Sequence, residues 1–507
     1  MPPLFYFFLA LACLLVGYFV YSKIVEKLFI PNYDRPTPAV TMNDGVDYLK
    51  LPTWKVFLIQ LLNIAGVGPV FGPILGALYG PAALFWIVIG SLVAGAVHDY
   101  FSGMMSLRYA GQSIPDVIGF TLGNGFKQFM RLFSLVLLVL VGVVFVTAPA
   151  TMLAGLTPDW MDMRFWIAVI FIYYFAATIL PIDVIIAKIY PLFALVLIIM
   201  AVGVSAGLIF KGYAFYNWSE IGTEGIFANL HPDRLPMWPL MFITIACGAL
   251  SGFHATQSPL MSRCLINERS GRSVFYGAMI AESVIALIWA TAAMTYFGSP
   301  VELAEALKGT PSAVVNTVSL GLLGTVGGIL AILGVVVLPI TSGDTAFRAA
   351  RLIVGDVTRL PQKKIGNRLL IAMPIFIVGI VICQIDFEVI WRYFGWSNQT
   401  LATVVLWAAA AYVVRRGTNH WFVTVPATFM TATCISYICV ESKLGFGMSF
   451  EVSATIGVIS ALAALVWFLA SLKKFRDKIE LEIPISFAAP ATVGSVGSGG
   501  VDLGKGA

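Results

Sequence analysis

Charge is what this chain lacks most. Charged residues make up 11% of its 507 positions, against about 25% in an ordinary soluble chain. That scarcity excludes a set of solvated domains, although the length alone would allow about two or three. Histidine is scarcer still: His98, His231, His254 and His420 are the full complement. They supply no paired-histidine metal motif and no base beside a nucleophile, so the markers of a membrane-embedded enzyme are missing. The six cysteines contain no CxxC and no metal-like spacing with histidine. Cys13, Cys247, Cys383, Cys434 and Cys439 lie in apolar runs, with Cys264 at the end of one, and read as small buried hydrophobes. No loop interleaves basic residues with aromatics, which excludes nucleic acid as a partner. No Walker motif or phosphorylation signature is present, which argues against primary pumping. No catalytic residue, resident metal or organic cofactor is expected from these residues.

What the chain has is apolar length. The hydrophobic set reaches 59% with glycine uncounted, where soluble chains hold about 45–50% with glycine included. Runs of bilayer-crossing length fall near 4–22, 54–79, 82–107, 132–155, 165–182, 189–210, 237–262, 273–298, 318–346, 369–385, 390–414, 420–440 and 451–472. They predict an all-α polytopic protein of about thirteen transmembrane helices with the lipid bilayer as its surroundings. The first run has no lysine or arginine ahead of it and reads as a span rather than a signal peptide. Tyr213, Phe215, Tyr216, Trp218 and Trp238 in and beside the 211–236 loop predict an interfacial cap.

Basic residues orient the chain. With the N-terminus outside and the C-terminus inside, Arg164, Lys211, Arg234, Lys308, Arg392 and Lys443 lie outside, and every other lysine and arginine of the 31 lies in cytoplasmic segments. Basic residues near span ends favour the cytoplasm, so this imbalance sets the expected topology. The net charge of +5 reports that topology.

Two apolar runs are interrupted. One reads Asn63-Ile64-Ala65-Gly66-Val67-Gly68-Pro69-Val70-Phe71-Gly72-Pro73, the other Cys247-Gly248-Ala249-Leu250-Ser251-Gly252-Phe253-His254-Ala255-Thr256-Gln257-Ser258-Pro259. Proline lacks an N–H and glycine destabilises helix interiors. Backbone freed in this way persists at membrane depth only where protein buries it or a wet cavity meets it. The second break comes five spans after the first, so the two run in opposite directions. That is the pattern of a five-plus-five inverted repeat, the leucine-transporter-like architecture. The expected division is 1–53 as an extra helix and cytoplasmic linker, 54–210 as the first repeat and 211–236 as an extracytoplasmic loop. The second repeat is 237–414, followed by two C-terminal helices over 415–484 and a flexible tail over 485–507.

The same segments resemble a known family. Ala65-Gly66-Val67-Gly68-Pro69-Val70-Phe71-Gly72-Pro73 is similar to the AGxGPxxGP segment of the carbon starvation protein A (CstA) family, and Gly95-Ala96-Val97-His98-Asp99-Tyr100 also resembles it. Gly248 to Ala255 resembles that family's GxxSGFHA segment, with Asn267-Glu268 and Tyr276 to Ser283 continuing it. Asp344, Arg348-Ala349-Ala350-Arg351 and Asp356 resemble its DxxxRAARxxxxD segment. The likeness runs from about 54 to 360 and resembles a short form; many members have histidine where Gln60 stands. It implies an inner-membrane carrier related to the amino acid–polyamine–cation superfamily, with relatives that import pyruvate or are linked to peptide uptake under nutrient limitation.

The residues at the breaks are the expected substrate contacts: Gly66, Gly68 and Pro69 in the first, and Ser251, Gly252, Phe253, His254 and Gln257 in the second. A half-helix after a break presents N–H groups and a positive dipole end, which suits a carboxylate. His254 is a group that could bind a carboxylate or relay a proton. The acids inside spans are Asp99, Glu282 and Asp344. Asp344 shares a helical face with Arg348 and Arg351, while Asp99 and Glu282 have no such neighbour and must pair across helices, stay protonated or bind an ion. His98 points about 100 degrees from Asp99 on a helix, so the two need not be partners. Thr341 and Ser342 occupy the position from which the leucine-transporter fold cages sodium with carbonyls of the first broken helix. The expected function is a cation-coupled symporter of a small carboxylate or peptide. Protons and sodium both stay open as coupling ions, as do pyruvate, peptides and amino acids as substrates; a channel is the other class, and the oligomeric state is open.

Overall fold

The protein is described here from a computed structural model over residues 5–45, 47–179, 190–212, 222–308, 310–362 and 364–477. Among the described residues every regular element is helical. α1 is Phe5–Phe29, α2 Thr53–Ile64, α3 Gly68–Gly76, α4 Ala82–Arg108, α5 Ile114–Leu122 and α6 Asn124–Ala154. α7 is Met163–Ile179, α8 Tyr190–Lys211, α9 Met237–Thr244, α10 Gly252–Ser262 and α11 Glu268–Tyr296. α12 is Pro311–Thr358, α13 Ile365–Ile382, α14 Phe387–Arg415, α15 Trp421–Val440 and α16 Phe450–Ala470.

Ten of these helices are long and apolar enough to cross a membrane, or eleven if the bent pair α2–α3 is one span. Of the expected run at 165–182 the described part is the helix Met163–Ile179, and the run at 237–262 is divided into two helices that are each shorter than a span. The reading of 318–346 as one unbroken span is corrected. Gly324 takes φ 68°, ψ −171° inside α12, a left-handed conformation that only glycine adopts without strain. The chain folds back there: a Cβ on Gly328 would lie 2.7 Å from the Leu320 Cα. The expected aromatic cap at Tyr213, Phe215, Tyr216 and Trp218 lies outside the described residues, as do the tail from 485 and Lys188, Lys363, Lys478 and Lys505 of the charge pattern. Trp238 is described, and its indole donates to Thr433 Oγ1 at 3.1 Å.

Burial separates inner from outer helices. α4 and α11 are enclosed along most of their length, while α1 and α16 expose residues such as Val16, Phe19, Val458 and Leu462. Apolar side chains facing outward over whole helices need an apolar solvent, and a bilayer is one. The inner helices α4 and α11 each contain a π turn, Gly90–Gly95 and Arg272–Tyr276. A π turn leaves a carbonyl without its usual helical partner. In α4 the Leu92 carbonyl is taken by the Tyr276 hydroxyl at 2.9 Å, and Ser91 by Ser283 at 2.6 Å, so the two π-turn helices are bonded to each other.

Candidate functional site

Both interruptions are real breaks, and they face each other. The first spans Ala65–Val67 between α2 and α3, which meet at 50°. Pro69 has no N–H to give, and the N–H groups of Val70 and Phe71 return to the Val67 carbonyl at 3.1 and 2.8 Å. The second runs from Ile245 to Ser251, and Gly248 within it has φ +90°. Helix resumes at Gly252, so Gly252, Phe253, His254 and Gln257 sit on the first turns of α10 rather than in unwound chain. Glycine at the contact lets one backbone lie on the other. A Cβ on Gly68 would come within 2.3 Å of the Cys247 Cβ, one on Gly72 within 2.8 Å of the Thr244 carbonyl oxygen, and one on Gly95 of α4 within 2.1 Å of the Ala249 carbonyl oxygen. Gly66 abuts the Phe145 ring in the same way, at 2.2 Å.

His254 on α10 meets the two expected acids. Its Nδ1 lies 2.8 Å from Asp99 Oδ2, and its Nε2 lies 3.3 Å from Glu282 Oε2. All three side chains are fully buried. The pairing of His98 with Asp99, open on helical geometry, is present: His98 Nδ1 lies 2.8 Å from Asp99 Oδ1. The angular separation on the helix is bridged because the carboxylate reaches sideways with one oxygen and across to α10 with the other. An ionised carboxylate only accepts, so the network assigns the hydrogen of each imidazole to Nδ1. No described ion pair brings a lysine or arginine to Asp99 or Glu282. Ser258 extends the α4–α10 contact, accepting from Ser102 at 3.1 Å, and Ser262 donates to the Gly103 carbonyl at 2.7 Å.

Asn398 on α14 was not among the expected site residues, yet it organises the second break. Its Oδ1 accepts from the Phe253 N–H at 2.6 Å, and its Nδ2 donates to Ser251 Oγ at 3.1 Å. Gly252 sits so close to α14 that a Cβ would lie 2.3 Å from the Asn398 carbonyl oxygen. The signal available in sequence was the polar run Ser397-Asn398-Gln399 inside an apolar span. Gln257 donates to Thr256 Oγ1 at 2.9 Å and leaves its Oε1 buried without a partner, and both amide atoms of Gln60 are also buried without one.

Thr341 and Ser342 on α12 both donate to the Leu62 carbonyl at the end of α2, at 2.9 and 3.0 Å. Thr341 also reaches its own helix at Leu338, 2.8 Å. Asp344 is buried and turned to Arg348, 3.9 Å away, and Arg348 donates onward to the Ala177 carbonyl at 3.2 Å. Arg351 instead donates to Gln362 at 3.1 Å. The expected coupling residues therefore form two groups, Asp99 with Glu282 around His254, and Thr341 with Ser342 on Leu62; no described bond joins Asp344 to either.

A cavity of about 450 Å³ opens at the Tyr79 end of α3 and extends to Ile243 and Thr244 beside the second break. Its rim holds Arg392, paired with Glu441 at 2.9 Å and with Glu388, and Lys443, 3.4 Å from Glu388. His231, in the loop before α9, packs on Tyr79 with ring centroids 4.7 Å apart. Burial pushes the His231 imidazole below its ordinary value, with the Asp233 charge opposing. On the other face the crevice between Ser113 and Ile353 holds about 20 Å³. Arg108 and Glu268 form a buried ion pair at 2.7 Å, and the Asn32 N–H donates to the same carboxylate at 2.7 Å.

The profile of the family described as carbon starvation protein CstA matches residues 3–163, 157–323 and 304–437. An "uncharacterized membrane protein" of Haemophilus influenzae is 46% identical over 351 residues, 60% of this chain and 95% of that one. A peptide transporter CstA of Bacillus subtilis is 26% identical over 584 residues, covering 92% of this chain and 95% of that one. The pyruvate/proton symporter BtsT of Escherichia coli is 28% identical over 346 residues, 55% of this chain and 47% of its own. Among solved structures, a mutant of the manganese transporter of Eremococcus coleocola superposes with a TM-score of 0.48 at 13% identity, over 86% of this chain and 99% of that one.

Proposed function

This chain belongs to the carbon starvation protein CstA family, and on that premise we propose that it is a secondary active transporter of the bacterial inner membrane, not an enzyme. Its substrate is a small carboxylate such as pyruvate, or a peptide, carried inward with a cation. The activities named for the Bacillus subtilis and Escherichia coli relatives support the substrate class. The observation that carries the reading is the contact between the two helix breaks, with His254 and two acids beside it. Breaks of this kind supply substrate and ion contacts near the bilayer midplane.

Each break is followed by a π-turn helix that carries one acid of the cluster, Asp99 in α4 and Glu282 in α11. That correspondence supports a division into repeats at 54–210 and 237–414, with 1–53, 211–236, 415–484 and 485–507 as additions. The N-terminus is outside and the C-terminus inside, on the charge pattern. In that orientation the larger cavity opens outward and the Arg108–Glu268 pair closes the cytoplasmic face. Gly66, Gly68, Pro69, Ser251, Gly252, Phe253, His254 and Gln257 line the substrate path, and Gln60 adds an amide with both polar atoms unpartnered to the free Oε1 of Gln257. Thr341, Ser342 and the Leu62 carbonyl offer a cation three oxygens on facing helices. Asp344, Asp99 and Glu282 are the carboxylates that could answer its charge.

Counterflow in proteoliposomes is the test. A carrier exchanges labelled pyruvate or a labelled dipeptide against the unlabelled compound, a channel does not, and an enzyme alters the label. Absence of counterflow with pyruvate, dipeptides and amino acids alike would overturn the transport reading.

A further inference from the structure

The residues around the second break hold a donor set that adds Cys247 to the His254 and Glu282 of the transport reading. Cys247, His254 and Glu282 each bring one ligand atom into a group whose members all lie within 4.8 Å of one another, and all three residues are buried. We propose that this is a binding site for a divalent transition ion of the zinc class, with Cys247 Sγ, His254 Nε2 and a Glu282 oxygen as its three protein ligands.

The tautomer comes first. Asp99 accepts from His254 Nδ1 at 2.8 Å, so Nδ1 carries the hydrogen and Nε2 presents a lone pair. Metal-ligating histidines are held in this way, with the far nitrogen donating to a carboxylate. The lone pair lies near the Cys247 thiol as well as the Glu282 carboxylate. It faces Glu282 Oε2 at 3.3 Å, and neither Nε2 nor either Glu282 oxygen has a hydrogen-bond partner. Two electron-rich atoms held together in a fully buried site need positive charge between them, which a proton or a bound metal ion supplies. Two ligands about 2.0–2.1 Å from a tetrahedral ion are about 3.3–3.4 Å apart, which is the separation observed.

Charge and softness select the ion. No described lysine or arginine pairs with Glu282, and unpaired charge at membrane depth is costly. A doubly charged ion bound by one thiolate and one carboxylate is neutral within its ligand shell. Binding displaces the thiol proton to solvent. Sulfur and imidazole nitrogen suit zinc, cobalt or iron, whereas magnesium and calcium take oxygen. Three protein ligands leave the fourth position open. Cys247 sits in unwound chain beside Gly248 at φ +90°, so its sulfur can close on the ion without unwinding a helix.

Cobalt(II) is the probe, because a cysteine thiolate on cobalt gives an intense near-ultraviolet charge-transfer band that oxygen and nitrogen ligands do not. The full-length protein in detergent at neutral pH should bind one cobalt ion with that band, and zinc should displace it. Cys247→Ser should abolish the band, and Glu282→Gln should weaken binding at least tenfold, with circular dichroism and gel filtration unchanged. No band, or a band that survives in Cys247→Ser, overturns the proposal. Should Cys247→Ser misfold, Cys247→Ala takes its place under the same criteria. Binding is read without transport, so this result and the counterflow result can fail separately.

Discussion

Asn398 Oδ1 accepts the main-chain N–H of Phe253 at 2.6 Å, tying α14 to the first turn of α10. The bond caps a helix start with a side chain 145 positions away in sequence. Helix starts carry orphan N–H groups, and in a buried setting each needs a partner.

Replacing this cap gives the first prediction. Asn398→Leu leaves the Phe253 N–H and the Ser251 hydroxyl without their partner, and a buried unsatisfied group costs about 1–3 kcal/mol. The thermal unfolding midpoint in detergent should fall and uptake should drop with it. An unchanged midpoint would show that Asn398 does not hold the break.

The contact between the breaks gives the second. Gly68→Leu should abolish uptake while the chain still inserts, because even a Cβ there would lie 2.3 Å from the Cys247 Cβ. Gly68→Ala combined with Cys247→Gly removes the side chain that the new methyl group would meet and should recover part of the uptake lost in Gly68→Ala alone. Normal uptake by Gly68→Leu at normal expression would remove this glycine from the mechanism.

Coupling is read in imposed gradients. Asp99→Asn and Glu282→Gln should insert and lose gradient-driven accumulation at least tenfold. One elementary charge against 100 mV is worth about 2.3 kcal/mol, so an uncoupled anion carrier cannot accumulate its substrate. Asp344→Asn should lower the yield of folded protein instead, because it leaves the buried Arg348 without its carboxylate. Wild-type accumulation in all three variants would exclude carboxylate coupling.

Thr341→Val together with Ser342→Ala removes both hydroxyls from the Leu62 carbonyl. The cation concentration for half-maximal uptake should rise about tenfold, equivalent to about 1.4 kcal/mol of lost cation affinity. A change in substrate affinity at constant cation dependence would place these hydroxyls on the substrate.

His231 supplies the pH prediction. Burial holds its imidazole below the ordinary value of 6.5, so the unfolded chain takes up this proton at a higher pH than the folded one. Stability from this residue is therefore complete above about pH 6.5 and declines as pH falls from there toward the folded value. The slope of the unfolding midpoint in that window should be shallower in His231→Gln, with the wild type and variant converging above it. Equal slopes would mean that the loop leaves His231 solvated.

Apolar run length and the rarity of charge were enough, from sequence alone, to place this chain in a membrane as helices, because a bilayer tolerates no unpaired backbone and little charge. Glycine and proline marked where both breaks fall to within a few residues, since the loss of a helical hydrogen bond is a local property of those residue types. Relations that depend on how helices lie against one another were decided by the tertiary structure. Asp99 lies seventeen positions before Asp116 and far from His254 in the chain, yet it bonds the latter, because α4 packs on α10. Helical geometry taken alone left the pairing of His98 with Asp99 open, since side-chain torsions and not only the position of Cα set where a carboxylate oxygen lands. Asn398 carried no local pattern that named its role. Cys247 showed no metal spacing in sequence, and only the approach of α11 to the unwound chain sets Glu282 beside it and His254. Periodicity and composition report the environment of a residue; which partner it meets is fixed by packing between segments hundreds of positions apart.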